Sequence, residues 1–503
     1  MFIRSRFHHT IHVFKTKLLM RPNNLKHLLL KSILFLFVLG VNAVSYLPSD
    51  PNIQYHGRWN SADPSEYRTE WSSTYFKVRF TGSSIEVKIT SSSVLYYEYQ
   101  LDGGPWVKTT SPGVIAASGS GEHSLKFVRL NAGNHGYTLF QGLEVTGGVL
   151  LDPGQRRCLQ MEFVGNSITT GWGNDGGQGG GADVQNGRLA WGPVLAEKFN
   201  AEWRVEAHSG QGMHNNLYEY GQQDAPGKYT MADEWEMMYE MKHGGDEYTT
   251  VWPFTDGYQP DVFFCSLGTN DFAQNSAYPT CTEFNGRYNE YLDLVRGYYP
   301  DATIILFGTN LPTWGAASVA SYDSCNRCLA ELVDYRNNVR NDANIYFANP
   351  KPGNLDANLW VDYNLYLPDN THPNGEGHQI IATKMKAFMD AIPAIKDKLD
   401  QTTSGCITSI KEMGNINQLK VYPNPMTDDG VLEMELTNPS DVNFEIYSIE
   451  GRLIDSAAHN MLARGKHSFQ LNMLFKKTNL TGGSYLIKVI SGRSTSTIIS
   501  ILK

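Results

Sequence analysis

The first long pattern along the chain is an alternation of apolar and polar positions over residues 46–150. It recurs in short segments rich in β-branched and aromatic residues: YFKVRF, SIEVKIT, LYYEYQ, SLKFVRL and HGYTLFQGLEV. Turns such as LDGGPW and AGNHG separate these segments. A period of two with such turns is typical of antiparallel strands, so we predict a β-sandwich of the jelly-roll type. Such a domain either supports its neighbour or shapes one wall of a binding site.

The pattern changes over residues 156–400, where compact apolar segments alternate with helical periodicity. The predicted strands are CLQMEFVG, AEWRVEAHS, DVFFCSLG, ATIILFGTN and ANIYFANP. The predicted helices between them are WGPVLAEKFN, FNGRYNEYLDLVRGYY and CNRCLAELVDYRNNVR, and a final helix, GHQIIATKMKAFMDAIPAIKDKL, closes the region near Leu399. Strands that alternate with helices predict an α/β domain with a parallel sheet covered on both faces.

The remainder of the chain divides into two parts. Residues 401–418 are polar and predict a linker. Residues 419–503 return to a period of two in LKVYPNPMTDDGVLEMEL, VNFEIYSIEGRLI, KHSFQLNM and GGSYLIKVISG. This pattern predicts a third, small β-sandwich domain.

The amino terminus has the features of a secretory signal peptide over residues 1–43. A basic flank precedes an apolar run from Ser32 to Val41, and small residues follow up to Ala43. The run is short for a membrane span, so we predict export of a soluble protein rather than insertion into a membrane. We interpret Met20 as the initiator and the residues before it as an extension.

The composition of the chain limits the classes of ligand that we expect it to bind. The chain has 503 residues, of which 41% are hydrophobic and 12% aromatic, enough for two to four globular domains. Its formal net charge is −9 and its mature region has no long basic stretch, which argues against nucleic acid. The aromatic content agrees with binding of sugars or other flat apolar ligands.

The six cysteines are compatible with an oxidising compartment. Cys325 and Cys328 form a lone CxxC, for which redox chemistry or half of a zinc site is the alternative to a structural disulfide. With no second CxxC and no adjacent histidines, we favour a disulfide, with Cys281 as a candidate partner. We predict that Cys265 is a small, buried apolar residue. The histidines lack metal-ligand spacing, and we expect no metal and no cofactor.

Four loops that follow predicted strands hold candidate chemistry. They are GNSIT, HSGQG, GTND and DNTHP. In a parallel sheet these loops meet at the carboxyl ends of the strands. Ser167 is a candidate nucleophile, His372 its base and Asp369 the acid that orients the histidine. The N–H groups of Ser167 and Gly210 and the side-chain amide of Asn270 are candidate donors to an oxyanion.

Each of these motifs alone also has a purely structural reading. GNS and GTND occur as tight turns, and Asp369 can cap a helix. All four follow strands of one predicted domain, with the serine first and the histidine last, and this common placement favours the catalytic interpretation.

The same four motifs resemble the blocks of the SGNH, or GDSL-type, hydrolases. FVGNSITTG, HSGQG, SLGTND and DNTHPNGEGH match the four blocks in order. The resemblance implies roles for Ser167, Gly210, Asn270 and His372 as nucleophile, two oxyanion donors and base. Asn166 departs from the commoner aspartate of the first block, which is not the catalytic acid. Gly212 is an alternative to Gly210 in the second block.

A jelly-roll domain before such a block set further resembles carbohydrate esterase family two, acetyl esterases that act on plant polysaccharides. The specific motifs lie in the central domain, although the resemblance in architecture extends from Tyr46 to Leu399. Some members of that family orient the histidine with a backbone carbonyl instead of an acid. The resemblance therefore leaves two alternatives for the group that orients His372, of which Asp369 is one.

The C-terminal segment is similar to the sorting domains of type IX secretion, on VYPNPMTDDG, VNFEIYSIEGRLI and GGSYLIKVI. This similarity implies passage across an outer membrane and secretion machinery as a partner. A small carbohydrate-binding sandwich is the alternative.

Together these expectations describe a secreted carbohydrate O-acetyl esterase acting on polysaccharides such as xylan or glucomannan. Trp172 and Trp314 follow strands on one side of the sheet and either stack on a sugar ring or pack in the core. The glycine-rich loop after Ser167 lacks the ending of a phosphate loop and is interpreted as a rim of the site. The alternatives are another SGNH esterase or lipase, and a non-catalytic carbohydrate-binding protein.

Overall fold

The structure is a computed structural model. It describes residues 42–119, 121–177, 180–217, 229–240, 250–273, 278–309, 316–350, 360–408, 416–422, 430–436, 439–448, 452–475, 483–491 and 494–502. Apart from positions 42 and 43, the predicted signal peptide with Met20 lies outside these residues, and so does Trp314. Within the described ranges, no helix is both long and apolar enough to cross a membrane.

The N-terminal region forms two antiparallel sheets of six strands each. The strands are β1 (Ala43–Tyr46), β2 (Gln54–His56), β3 (Asn60–Asp63), β4 (Glu66–Thr69), β5 (Tyr75–Thr81), β6 (Ser84–Ser91), β7 (Tyr97–Leu101), β8 (Val107–Thr109), β9 (Gly113–Ala116), β10 (Glu122–Arg129), β11 (Thr138–Thr146) and β12 (Leu150–Leu151). One sheet contains β1, β3, β4, β6, β9 and β11, and the other contains β2, β5, β7, β8, β10 and β12. A two-sheet β domain agrees with the alternating pattern.

Strand β5 shows how the alternation divides its side chains. Phe76, Val78 and Phe80 are buried in the core between the two sheets. The phenyl ring of Phe76 lies 4.7 Å from that of Phe140 on the facing sheet. Tyr75 and Lys77 point to the opposite face, because successive strand residues alternate, and there they reach the central domain.

The central region contains a five-stranded parallel sheet, as the sequence predicts. The strands are β13 (Gln160–Gly165), β14 (Glu202–Ala207), β15 (Val262–Ser266), β16 (Thr303–Phe307) and β17 (Ile345–Ala348). Their spatial order is β14-β13-β15-β16-β17, so the sheet is doubly wound and its order reverses beside β13. All five residues of β15 and of β16 are buried, as expected for strands covered on both faces.

Helices cover both faces of this sheet and form two apolar clusters with it. The helices are α1 (Ser167–Thr170), α2 (Trp191–Lys198), α3 (Met231–Glu234), α4 (Cys281–Tyr298), α5 (Ala316–Asn338), α6 (Gly375–Asp390) and α7 (Pro393–Thr408). Short 3-10 turns lie at Gly133–His135, Gly187–Leu189 and Tyr363–Leu365. Cluster one includes side chains of α2 and α6, and cluster two those of α4 and α5.

The end of the central domain differs from the prediction. The sequence was expected to form one helix ending near Leu399, followed by a linker over 401–418. Instead, a break at residues 391–392 separates α6 from α7, and Pro393 occupies the first position of α7, where its missing N–H costs nothing. Helix α7 continues to Thr408, and Thr402 Oγ1 lies 3.3 Å from an Asp261 carboxylate oxygen. Residues 401–408 of the predicted linker therefore form the last part of α7.

A disulfide joins Cys281, at the start of α4, to Cys328 in α5. It pairs one cysteine of the CxxC with the partner favoured from the sequence. Cys325 is a buried free thiol, and so is Cys265, whose pKa burial raises to about 12. The CxxC is thus not a closed redox pair, because the sulfur of Cys328 is bonded to Cys281 and Cys325 remains a thiol.

Buried polar contacts join the N-terminal domain to the central domain. The indole N–H of Trp71 donates to the Met238 carbonyl at 3.0 Å, and that of Trp203 donates to the Ser73 carbonyl at 3.1 Å. The guanidinium of Arg58 donates to the Met237 carbonyl at 2.6 Å and pairs with Glu206. These groups are buried, so the boundary is stable only while the hydrogen bonds between the two domains replace their bonds to water.

The C-terminal region forms a three-stranded and a four-stranded antiparallel sheet. Its elements are β18 (Ile416–Tyr422), β19 (Val431–Leu436), β20 (Ser440–Ser448), β21 (Leu453–Leu462), β22 (Gly465–Gln470), α8 (Leu471–Leu474), β23 (Gly483–Ser491) and β24 (Ser494–Leu502). Alternate residues of β19 and β20 are buried around Phe444 in one apolar cluster. The predicted small β domain is therefore present.

Candidate active site

The first strand of the central sheet, β13, ends at the point where the strand order reverses. Its neighbours are β14 on one side and β15 on the other. Crevices at this position are the usual ligand sites of open α/β sheets. Ser167 follows the end of β13 directly, as the first residue of α1.

Ser167 is held by a tight turn. A side chain on Gly165 would place its Cβ 2.1 Å from Thr169 Oγ1, so only glycine fits between strand and helix. Asn166 caps the helix, its side-chain oxygen accepting the Ile168 N–H at 3.1 Å. The helix ends after one turn at Gly171, in the left-handed conformation at φ +77°. The Ser167 side chain is consequently fixed in place while the residue remains 9% exposed.

The structure brings Ser167, His372 and Asp369 into one hydrogen-bonded series. His372 Nε2 lies 2.8 Å from Ser167 Oγ, and His372 Nδ1 lies 2.7 Å from an Asp369 carboxylate oxygen. The two contacts together require Nδ1 to carry the proton and Nε2 to accept one from the serine hydroxyl. This is the arrangement in which a histidine acts as a base toward serine.

Asp369 is itself fixed by the backbone that follows it. Its second oxygen accepts the N–H of Thr371 at 2.9 Å and of His372 at 3.0 Å. Burial alone would raise the pKa of Asp369, but the hydrogen bonds from the His372 ring and from these N–H groups outweigh it and lower the pKa to about 2. In this structure the group that meets Nδ1 is therefore an ionised carboxylate, not a backbone carbonyl.

The second loop, HSGQG, lies beside the nucleophile turn. The N–H of His208 donates to the Gly165 carbonyl at 3.2 Å, and Ser209 Oγ lies 3.4 Å from Thr170 Oγ1. Gly210 has φ +84°, and a Cβ there would meet nothing within 4 Å. By contrast, the N–H of Gly212 already donates to Asn216 Oδ1 at 3.1 Å. This geometry favours Gly210 over Gly212 as the donor from this loop.

The third loop supplies Asn270, which is buried. One N–H of its side-chain amide donates to the Gln211 carbonyl at 2.6 Å. The amide carries a second N–H, so this contact fixes the orientation and leaves one donor for another acceptor. The structure thus gathers the sequence-predicted residues of all four loops at one edge of the sheet.

Asp271 is a positioning residue that the sequence analysis missed. Its buried carboxylate accepts the N–H groups of Met213 at 3.0 Å, His214 at 2.6 Å and Asn215 at 2.9 Å. These bonds fasten the second loop to the third, next to Asn270. The ND pair in GTND is the sequence signal, but which backbone the carboxylate meets depends on the fold.

Gln185 is a second residue missed from the sequence. Its side-chain oxygen accepts the N–H of Ala132 in the N-terminal domain at 2.9 Å, and its amide donates to Thr170 Oγ1 at 2.8 Å. Thr170 Oγ1 in turn donates to the carbonyl of Ser167 at 2.9 Å. The N-terminal domain therefore contacts the nucleophile turn through one buried side chain.

Trp172 lies against the histidine, half-buried. Its ring centroid is 5.6 Å from that of His372, and the ring planes are inclined by 29°. A Cβ on Gly180 would overlap the indole, so the glycine-rich loop packs against it. This position agrees with packing beside the base and leaves less of the ring available as a sugar platform. Trp314, the other predicted platform, lies outside the described residues.

Buried acidic groups lie behind the second loop. His208 Nδ1 is 2.9 Å from a Glu234 oxygen, and His208 Nε2 is 4.0 Å from Glu240. Glu240 also accepts the N–H of Asn134 from the N-terminal domain at 2.8 Å. Burial raises the pKa of Glu240 to about 7. Across the ranges that the structure describes, no group of three His, Cys, Asp or Glu side chains is arranged to hold a metal.

Comparison with protein families agrees with this geometry. Residues 163–380, which include both Ser167 and His372, match the family described as GDSL-like lipase/acylhydrolase. The central domain is a GDSL-like domain. Residues 55–153, ahead of the GDSL-like domain, match the carbohydrate esterase 2 N-terminal domain, and residues 420–503 match a secretion system C-terminal sorting domain. The three domain resemblances noted in the sequence are thereby confirmed.

Curated relatives and solved structures are similar over part of this chain. The cellulase/esterase CelE of Acetivibrio thermocellus is 28% identical over 365 residues, which is 70% of this chain and 40% of that protein. An acetylxylan esterase/glucomannan deacetylase of Cellvibrio japonicus is 25% identical over 42% of this chain and 57% of its own length. This chain therefore spans about half the length of these relatives. The structure of a family two carbohydrate esterase from Clostridium thermocellum in complex with cellohexaose is 25% identical, with a TM-score of 0.56, over 68% of this chain and 99% of that one.

Proposed function

We propose that this protein is a secreted carbohydrate O-acetyl esterase that removes acetyl groups from polysaccharides such as xylan or glucomannan. The observation that carries the proposal is the series Ser167 Oγ, His372 and Asp369, with contacts of 2.8 and 2.7 Å. A binding site needs no serine aligned with a histidine base, whereas acyl transfer does.

In the first half of the proposed reaction, Ser167 Oγ attacks the acetyl carbonyl carbon. His372 Nε2 takes the serine proton, and the carboxylate of Asp369 stabilises the resulting imidazolium. Negative charge develops on the carbonyl oxygen, where the N–H groups of Ser167 and Gly210 and the free N–H of Asn270 are the proposed donors. Loss of one such donor typically costs about 3 kcal/mol of transition-state stabilisation.

In the second half, the imidazolium returns its proton to the departing sugar oxygen, leaving an acetyl-serine. Water then attacks this ester while His372 Nε2 removes a proton from the water, and the imidazolium passes that proton to Ser167 Oγ as acetate leaves. One histidine therefore acts as a base and then as an acid in each half. Trp172 packs against its ring and limits the directions in which it can move.

The relatives support carbohydrate as the substrate. Two carry esterase names that specify acetylated polysaccharide or cellulose chemistry, and a similar structure holds cellohexaose. The C-terminal domain supports export through type IX machinery, which we propose as a partner, with function outside the cell. An extracellular location suits an enzyme whose substrate is too large to enter.

The test is release of acetate from acetylated xylan and acetylated glucomannan. We expect release by the protein and a loss of at least about 1,000-fold in Ser167→Ala, since the nucleophile is absent. Ser111→Ala, which changes an exposed serine of the N-terminal domain, should retain full activity.

Two other results would contradict the proposal. Faster hydrolysis of long-chain than of acetyl model esters would make the protein a lipase or a different esterase. Binding of xylan or glucomannan with no release of acetate, equal in the protein and in Ser167→Ala, would make it a non-catalytic carbohydrate-binding protein.

A further inference from the structure

A cleft of about 460 Å³ lies between the N-terminal and central domains. Its walls combine side chains of the N-terminal sandwich, among them Gln100, Trp106 and Lys126, with side chains of α2, the neighbouring 3-10 turn and α6. Ser167, His372, Asp369 and Asn270 are not among them. We call this the interdomain cleft. Its volume is in the range of sites for small molecules.

The interdomain cleft is adjacent in sequence to two loops of the active site. Arg188 lies two positions after Asn186, which is bonded to Asn174 on the rim that follows Ser167. Gln379 lies in α6, the helix that begins just after His372. Arg157 and Lys198 lie toward the start of β13 and Ser167 follows its end, so a polymer that fills both sites must span this six-residue strand, roughly 20 Å.

Trp106 forms an aromatic wall of the cleft. It is half-buried, and the guanidinium carbon of Arg188 lies 4.3 Å from the centre of its ring. The ammonium group of Lys126 lies 5.9 Å from the same ring. An aromatic ring beside cations, with the amides of Gln100 and Gln379 in the same lining, presents both an apolar face and hydrogen-bond donors.

The charges of the lining do not cancel. The lining contains one carboxylate, Glu197, and four cations, Lys126, Arg157, Arg188 and Lys198. Glu197 is shared between Lys126 at 2.8 Å and Arg157 at 2.9 Å.

Arg188 is paired with Glu98, which lies outside the lining, so even with that carboxylate the cations are in excess. Lys198 is exposed and forms no ion pair with any residue that the structure describes. The chain as a whole carries a net charge of −9, so this local positive charge is not a property of the general surface.

We propose that the interdomain cleft binds an acidic sugar unit, a hexuronate, carried by the polysaccharide. The carboxylate of such a unit is matched by Lys198 and by the positive charge that Lys126 and Arg157 hold in excess of Glu197, its ring by Trp106, and its hydroxyls by Gln100 and Gln379. A neutral sugar would use the ring and the amides but not the excess charge. This inference rests on the proposed function, from which the polysaccharide is taken. It predicts that acidic branched polymers bind more tightly than neutral ones.

The experiment is a calorimetric titration of Ser167→Ala protein, which cannot consume its ligand. The probes are a xylo-oligosaccharide with one glucuronic acid branch and the same oligosaccharide without it. We expect the acidic probe to bind at least about tenfold more tightly at low salt, with the difference reduced at high salt because ions screen the charges. Equal affinity for the two probes would overturn the proposal.

Variants of the cleft locate the binding. Trp106→Ala should weaken binding of the acidic probe about tenfold, and Lys198→Glu should remove the preference for the acidic probe. Lys384→Glu, an exposed lysine of α6 outside the lining, is the matched control and should change neither affinity. Lys198 is exposed, so its replacement leaves the core intact. An unchanged preference in Lys198→Glu would place the acid elsewhere and overturn the proposal.

Acetate release from an uncharged acetylated substrate separates this inference from the proposed function. If the protein with Ser167 releases acetate but the two probes bind equally, the interdomain cleft proposal alone fails. If acidic probes are preferred and Lys198→Glu removes the preference, while no acetate is released, the cleft proposal stands and the esterase proposal fails.

Discussion

His372 is held by two contacts that require the same tautomer. The Asp369 carboxylate faces Nδ1 and the Ser167 hydroxyl faces Nε2. Because the pKa of Asp369 is lowered to about 2, this carboxylate remains ionised throughout the pH range in which an esterase is assayed. As pH falls through that value, the stability contributed by the ion would be lost, since the folded-state pKa lies below the unfolded one.

Replacing Asp369 with asparagine tests its role at the residue scale. We expect kcat to fall by about 100-fold to 10,000-fold with little change in KM, because an amide can hold the ring in the wrong tautomer. The measurement is steady-state hydrolysis of an acetyl ester. The control is Asp362→Asn, which changes an exposed aspartate that, like Asp369, precedes helix α6 in the chain. Unchanged kcat in Asp369→Asn would mean that another group orients the histidine.

At the scale of elements, the active site depends on how a strand passes into a helix. Strand β13 and helix α1 are separated by Asn166 alone. Gly165 lies against Thr169 of the following helix and against the carbonyl of Ser266 on β15. The position of Ser167 therefore depends on close backbone packing and not only on its own side-chain contacts.

Gly165→Ala is expected to disturb this junction. Its Cβ would lie 2.1 Å from Thr169 Oγ1, so the turn must shift, at a cost of about 1–3 kcal/mol in the free energy of unfolding. Thermal denaturation should show the loss of stability, and kcat should fall because Ser167 moves relative to His372. Gly121→Ala, where nothing lies within 4 Å of the added atom, should leave both quantities unchanged. Normal stability and kcat in Gly165→Ala would contradict this account of the turn.

The sequence predicted the candidate site more completely than the elements around it. Three of the four loops directly follow apolar strands, and a parallel sheet must bring such loops to one edge, so the placement of Ser167 was predictable. The loop with His372 instead follows the 3-10 turn at Tyr363–Leu365, so this residue was predictable from its motif and its order in the chain. The contacts of Asp271 and Gln185 were not, because each reaches backbone or side chains brought close only by the fold. The polar pattern did not predict that α7 continues to Thr408. Polar residues suit this helix because the hydroxyl of Thr402 bonds to Asp261 and that of Thr403 bonds to the helix backbone.

At the scale of the whole molecule, the first two domains share a buried and partly charged boundary. Glu240 from the central domain receives the N–H of Asn134 and lies close to His208, Glu234 and Glu70. Burial raises its pKa from an ordinary value of 4.5 to about 7. The native protein therefore holds a proton here that the unfolded chain releases at lower pH. The associated stability is complete below about pH 4 and is lost as pH rises through about 7.

Glu240→Gln should make the protein less sensitive to pH. One retained proton gives a slope of at most about 1.4 kcal/mol per pH unit in the free energy of unfolding. We expect the melting temperature of the parent to fall between pH 5 and pH 8 more steeply than that of Glu240→Gln. Glu376→Gln, an exposed substitution, should keep the parental slope. Identical slopes in Glu240→Gln and the parent would show that this carboxyl is not protonated in the native state.

The contact between Ser167 and His372 joins residues 205 positions apart, and that between Arg58 and Met237 joins residues 179 apart. Contacts across such separations form late, because a long segment must first be ordered. Within a refolding chain, the indole of Trp203 meets Ser73 across 130 positions, whereas the proposed hydrolysis needs the contact between Ser167 and His372 across 205. Regain of acetate release after dilution from urea is therefore expected to follow the recovery of tryptophan fluorescence, so the proposed activity would serve as a measure of completed folding.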